Sequence, residues 1–337
     1  MARKKPQVHP IDESWLALGQ EQPLLPQLDI IDSHIHLWDF SDPPYFTESF
    51  EEDARSAGIS ASVYVDCTMG YHEEGAEHLW PVGEVEFARA QAETAAGDVN
   101  VAAAIIGWAD LCLGDGVDEV LDALEQAGGG RFRGVRTRAN YDPDPLAGYG
   151  HLGVGPGLLL RDDYRQGVER LHQRGYVLDL YAFHTQLEDV AALARAFPNL
   201  PIILSHIGGP LGIGRYADEP EQVFAQWREG ISGLAPFKNV SVKIGGFGIS
   251  RIAIVKAEGR ERPPSSQELA RLCQPWVDHC LGELGVNRCL FGSNFPVDKV
   301  VFPIRTLVNA MKRLLANYSL DEQRAFFSEN AKQLYKI

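Results

Sequence analysis

The residues best suited to chemistry lie in Ile30-Ile-Asp32-Ser-His34-Ile-His36-Leu-Trp38. The segment is apolar and β-branched, so it reads as a strand. Side chains alternate faces along a strand, so His34 and His36 point the same way. Two imidazoles on one face can share one metal ion, and Zn, Mn and Fe all accept imidazole nitrogen. Asp32 has the same parity one layer deeper, where it could orient an imidazole through its second nitrogen. The competing reading is a pair of satisfied core histidines. Trp38 is read as a core aromatic, with a substrate-binding role as the second option.

Basic residues form the next candidate group. Arg136 and Arg138 are two apart in a later apolar run and share a face, and Lys243 ends another run. A guanidinium matches a planar carboxylate through two parallel hydrogen bonds. Three such cations would make a local anion site; the alternative is outward-facing Arg paired with Asp or Glu. His72 and His78 stand among Glu73, Glu74 and Glu77 and read as a solvated loop.

The elements that must position these groups alternate. Eight short apolar runs cover 28–38, 59–69, 101–111, 132–141, 176–183, 201–209, 240–248 and 289–297. Between them, helical spacing appears over 82–96, 117–127, 162–174, 187–197 and 267–284. Gly97, Gly128, Gly175, Pro198 and Gly285 stand where helices should stop. Strict alternation implies parallel strands with right-handed crossovers, and eight units imply a single closed (β/α)8 TIM barrel over 1–337. No glycine-rich dinucleotide turn follows the first strand. Residues 1–27 read as an arm on the barrel. Residues 142–157 and 249–266 read as loops leaving strand C-termini, which makes them candidate walls of an active site.

Composition bounds the partners. The chain has 337 residues, with 31 Lys plus Arg against 46 Asp plus Glu, a net charge of −15. A surface that negative disfavours nucleic acid and anionic membrane, yet a pocket inside it can still take an anionic small molecule. The five cysteines are odd in number and hold no C-x-x-C pair, which points to a cytoplasmic setting. No apolar stretch follows the basic N-terminus as a signal peptide would need, and no run is long enough to span a membrane. The sequence leaves the oligomeric state open.

With these pieces placed, the chain resembles the amidohydrolase superfamily, in its lactonase-like branch with fuconolactonases and pyrone-dicarboxylate lactonase. The matching pieces are Asp32-Ser-His34-Ile-His36-Leu-Trp38, Gly134-Val-Arg136, Asp179 with His184-Thr-Gln186, Leu204-Ser-His206-Ile-Gly-Gly-Pro210, Val242-Lys243-Ile-Gly-Gly and Phe291-Gly-Ser-Asn294-Phe-Pro-Val-Asp298. The ending Glu329-Asn-Ala-Lys-Gln-Leu-Tyr335 matches as well. The resemblance implies hydrolysis of a lactone of a small carboxylated compound. It implies one divalent metal, Zn or Mn, held by His34, His36 and His184, with a metal-free route known among relatives. Arg136 stands where binuclear relatives hold a bridging ligand, and it cannot ligate a cation. His206 and Lys243 would stabilise the oxyanion, and Arg136 with Arg138 would hold the substrate carboxylate.

The chain departs from this pattern at strand 8, where Asn294 replaces the usual aspartate. An amide cannot shuttle a proton. Asp298, four residues on, is the nearest substitute carboxylate, or else a helix cap. Two rival functions stand beside this one: the resemblance to the wider family also implies a decarboxylase or hydratase acting on an aromatic or unsaturated acid, and Asn294 allows a non-catalytic barrel that has lost turnover.

Overall fold

The computed structural model describes residues 8–148 and 154–337. Eight strands, β1 (Ile30–Ile35), β2 (Ile59–Val65), β3 (Asn100–Gly107), β4 (Phe132–Arg138), β5 (Val177–Tyr181), β6 (Ile202–Leu204), β7 (Val240–Ile244) and β8 (Cys289–Phe291), form one sheet in sequence order. Every adjacent pair is parallel. The sheet closes just beyond β8. Ile35 bridges Phe295, the His36 amide donates to the Phe295 carbonyl at 2.8 Å, and the Asn294 amide donates to the His34 carbonyl at 2.9 Å. The (β/α)8 barrel read from the alternation is therefore the observed fold.

A major helix follows each strand. Those at Val82–Thr94, Val117–Gly128, Asp162–Gln173, Leu187–Ala196 and Ser266–Leu284 lie where the sequence spacing puts them. Thr47–Ala57, Pro220–Leu234 and Ile304–Leu314 complete the ring. The first of these is short and charged, and only Phe50, Ala54 and Ala57 carry its apolar face, so its periodicity is faint.

Two layers of core explain why the strands read as continuous apolar runs. Outward side chains such as Ile30, Ile105, Leu180 and Val242 pack against Val85, Leu124, Leu193 and Trp227 of the helices. Inward chains Ile31, Val63, Ile203 and Leu290 pack with Ala331 and Tyr335 of the C-terminal helix. Tyr335 thereby enters the barrel interior from the end opposite the strand C-termini.

The strands are shorter than their apolar runs because their C-terminal ends curl into turns. Within 201–209 only Ile202–Leu204 is strand, and His206 and Ile207 adopt φ of 54° and 51°. The arm lies along Ile304–Leu314. Lys312 Nζ donates to the Leu24 carbonyl at 2.6 Å, and Asn309 Nδ2 to that of Gln22 at 2.9 Å. Of the two long loops, residues 149–153 lie outside the described residues. The remainder is tied together: Arg251 Nε donates to the Ala147 carbonyl at 3.1 Å, and the Gly212 amide to that of Arg251 at 2.8 Å. No helix is long and apolar enough to cross a membrane among the described residues.

Candidate active site

Ile35 and Leu37 pack into the outer core, so His34 and His36 face the interior at the C-terminal end of β1. Their ring centroids are 5.0 Å apart and the planes are nearly perpendicular. His36 Nδ1 lies 2.7 Å from the Val65 carbonyl. A carbonyl only accepts, so Nδ1 carries the proton and Nε2 presents a lone pair. Trp38 stacks on this ring, centroids 5.9 Å apart and planes 10° off parallel, and its Nε1 donates to Ser41 Oγ at 3.2 Å. The buried Trp38 therefore clamps an imidazole rather than offering a face to substrate.

His34 has a different partner: Lys243 Nζ lies 3.3 Å from its Nδ1. The third ring, His206, sits 4.5 Å from His34, centroid to centroid, on the turn after β6. Gly246, at φ 75°, makes room for it, since a Cβ there would stand 2.6 Å from His206 Nδ1. The three imidazoles are buried, and burial holds all of them neutral. It pushes His36 down to about 3, with the Arg136 charge adding to the effect. His34 and His206 fall well below the usual histidine range, burial again leading.

The three cations prove unequal. Arg138 and Arg136 share a face, and both donate to the Asp66 carbonyl, at 3.2 and 2.7 Å. Arg138 also pairs with the Asp66 carboxylate, which takes it out of the expected anion site. Lys243 likewise forms a buried ion pair with Asp179 and turns its remaining reach to His34, not to a substrate. Arg136 differs: it is 6% exposed, makes no ion pair among the described residues, and its Nε has no hydrogen-bond partner there. Burial and the neighbouring Arg138 push its pKa down, but a guanidinium stays charged.

Asn294 sits at φ 61° beside His34. Its Nδ2 donates to Asp298 Oδ1 at 2.8 Å, while Asp298 Oδ2 accepts the Gly248 amide at 3.0 Å. Asp298 thus stands behind Asn294 and tethers the β7 exit to the β8 exit. Both its oxygens are engaged, which does not suit the expected substitute base. Burial pushes its pKa up to about 7. Asp32 also departs from expectation. Its Oδ1 accepts the backbone amides of His34, at 3.1 Å, and Ser293, at 2.8 Å, rather than an imidazole proton. Register shifts in β1 break the simple alternation that placed it under the rings.

His184 heads the turn after β5 and makes no ring contact with the other three imidazoles among the described residues. It packs at 5.3 Å on Tyr216, and its Nδ1 faces the Leu211 amide at 3.4 Å. Tyr216 and Arg215 both donate to Asp142, at 2.6 and 2.9 Å, so His184 belongs to the wall built by the loops. Among the described residues, no three His, Cys, Asp or Glu converge as a metal site would require. The donor chemistry agrees. A ligating imidazole gives a lone pair to the metal and its N–H to an acceptor. His36 has that polarity, but His34 turns its Nδ1 to an ammonium. The expected set of His34, His36 and His184 does not fit a divalent ion in this structure.

Several contributors stand outside the residues that the sequence marks for chemistry. Val65 acts through its backbone, and Tyr335 reaches Asp179 at 3.4 Å from the far end of the chain. Glu84 accepts the amides of Cys67, Thr68 and Met69 at 2.7, 3.2 and 3.1 Å, which fixes the loop carrying Asp66. His72 and His78 pair with Glu86 and Glu119 on the outside.

An eight-stranded barrel with paired histidines at the end of β1 is the architecture of one large class of enzymes, and the amidohydrolase family model matches residues 31–337. The chain belongs to that family. It is 29% identical over 330 residues to the uncharacterized protein y4mH of Sinorhizobium fredii, covering 91% of this chain and 98% of that one. It is 24% identical over 322 residues to L-fucono-1,5-lactonase of Burkholderia multivorans, covering 91% and 96%. Among solved structures, an amidohydrolase from Burkholderia multivorans with bound zinc superposes with a TM-score of 0.69 at 22% identity, covering 91% of this chain and 99% of that one.

Proposed function

We propose that the protein hydrolyses a lactone of a small carboxylated compound. The observation that carries this reading is Arg136, a buried guanidinium without a carboxylate partner among the described residues, next to three neutral imidazoles. A buried unpaired charge is costly, and a substrate carboxylate would offset that cost. The similarity to a lactonase supports the reaction class.

Arg136 holds the substrate carboxylate and so turns the ring ester towards the histidines. His34 donates a hydrogen bond to the carbonyl oxygen and stabilises the negative charge that develops there. Water attacks the carbonyl carbon, and His36 Nε2 takes its proton. The ring C–O bond then breaks, and the leaving alkoxide takes the proton back from His36, giving a hydroxy acid. At a pKa of about 3, free His36 is a weak base. A carboxylate on Arg136 offsets the charge that helps depress it, so substrate binding strengthens the base. The neighbouring His206 and Asn294 bound the space the water occupies. Among the described residues zinc or manganese finds no complete donor set, and no step depends on one.

The test is turnover by the purified protein on carboxylated lactones, neutral lactones and hydroxybenzoate-type acids, followed by acid and CO2 release, with and without a chelator. Hydrolysis of carboxylated lactones that survives chelation is expected. CO2 release without lactone opening would assign the site to decarboxylation instead, and no turnover would mark a lapsed barrel.

A further inference from the structure

We infer that Lys243 is a positioning residue that fixes where the His34 imidazole carries its proton, so that His34 is a donor and His36 an acceptor. Lys243 is 1% exposed and its ammonium is paired with Asp179, itself fully buried. Asp179 also accepts Ser205 Oγ at 2.6 Å and Tyr335 Oη at 3.4 Å, and the ammonium lies 5.5 Å from the Tyr335 ring centroid. The cation is thus held from β5, from the β6 exit and from the C-terminal helix. Its Nζ stands 3.3 Å from His34 Nδ1.

An ammonium has donors only, so the nitrogen facing it must offer a lone pair. A neutral imidazole has one N–H, which therefore sits on Nε2. That Nε2 is buried without a hydrogen-bond partner among the described residues. An N–H in that state stays desolvated and unpaired until an acceptor arrives. Across a centroid separation of 5.0 Å, His36 has the opposite arrangement, with Nδ1–H on the Val65 carbonyl and a lone pair on Nε2. The two rings of one H-x-H motif become a donor and an acceptor, a polarity suited to an ester carbonyl and an attacking water. Metal ligation would require two lone pairs.

The catalytic consequence rests on the proposed function, while the protonation site is measurable without any substrate. The experiment is ¹⁵N NMR of histidine-labelled full-length protein, with the His34 signals assigned through His34→Gln. In the wild type the His34 Nε2 should be protonated and the Nδ1 bare from pH 6 to 8. In Lys243→Met, His34 should shift towards the other tautomer, and kcat on a carboxylated lactone should fall about 10²-fold with KM nearly unchanged. If Lys243→Met does not fold, Asp179→Asn, which loosens the ammonium, gives the same comparison with a smaller shift. A wild-type His34 protonated at Nδ1, or a tautomer indifferent to both substitutions, overturns the inference. The expected tautomer in a protein that opens no lactone would leave the inference standing and sink the proposed function.

Discussion

Asn294 shows how a single amide changes the demands on a site. Its Nδ2 is committed to Asp298, whose carboxyl is pushed up to about 7 by burial. Replacing Asn294 with Asp would set two buried carboxyls against each other, and the pair would hold a shared proton at neutral pH. Above that pH the second negative charge opposes both the substrate carboxylate and the oxyanion. Asn294→Asp should therefore lower kcat/KM at pH 8 by about tenfold, the worth of ~1.4 kcal/mol. The deficit should shrink as the pH falls to 6 and the pair takes up its proton. A pH series of initial rates checks this. A variant faster than the wild type at pH 8 would mean that the native site lacks a base, one that a carboxylate at this position restores.

At the level of elements, the strand ends and turns set the geometry. Gly246 carries φ of 75° and leaves its space to His206. Gly259 has the same φ of 75°, with nothing within 4 Å of the point where a Cβ would stand. Both Gly→Ala changes should cost about 1 kcal/mol through backbone strain alone. Only Gly246→Ala should also displace His206, with a further loss of stability and a fall in kcat of at least about tenfold. Denaturant melts and rates on both variants check the pair; equal activity in the two would detach His206 from the reaction. The alternation of apolar runs made the barrel legible, because strand parity and helix spacing are local. The same locality put His34, His36 and Arg136 at the mouth. It could not tell which cations were already spoken for: the partners of Arg138 and Lys243, Asp66 and Asp179, come from strands two places away around the barrel. Nor could it place His184, whose turn carries it to Tyr216 and the loop wall.

Over the whole molecule, a net charge of −15 surrounds a mouth whose one buried cation without an ion pair among the described residues is Arg136. An acidic surface slows the approach of anions in general, so selectivity for a carboxylated substrate has to come from the interior. Substituting Arg136 with Met keeps much of the length and removes the charge. The most direct test is kcat/KM for a matched pair of lactones, one carboxylated and one neutral, on wild type and Arg136→Met, with folding checked by thermal melts. The wild type should prefer the carboxylated lactone, and Arg136→Met should lose about 10²-fold or more on it, chiefly through KM, while the neutral lactone changes by less than about threefold. Equal losses on both lactones would make Arg136 a structural residue and remove the carboxylate-binding role proposed for it.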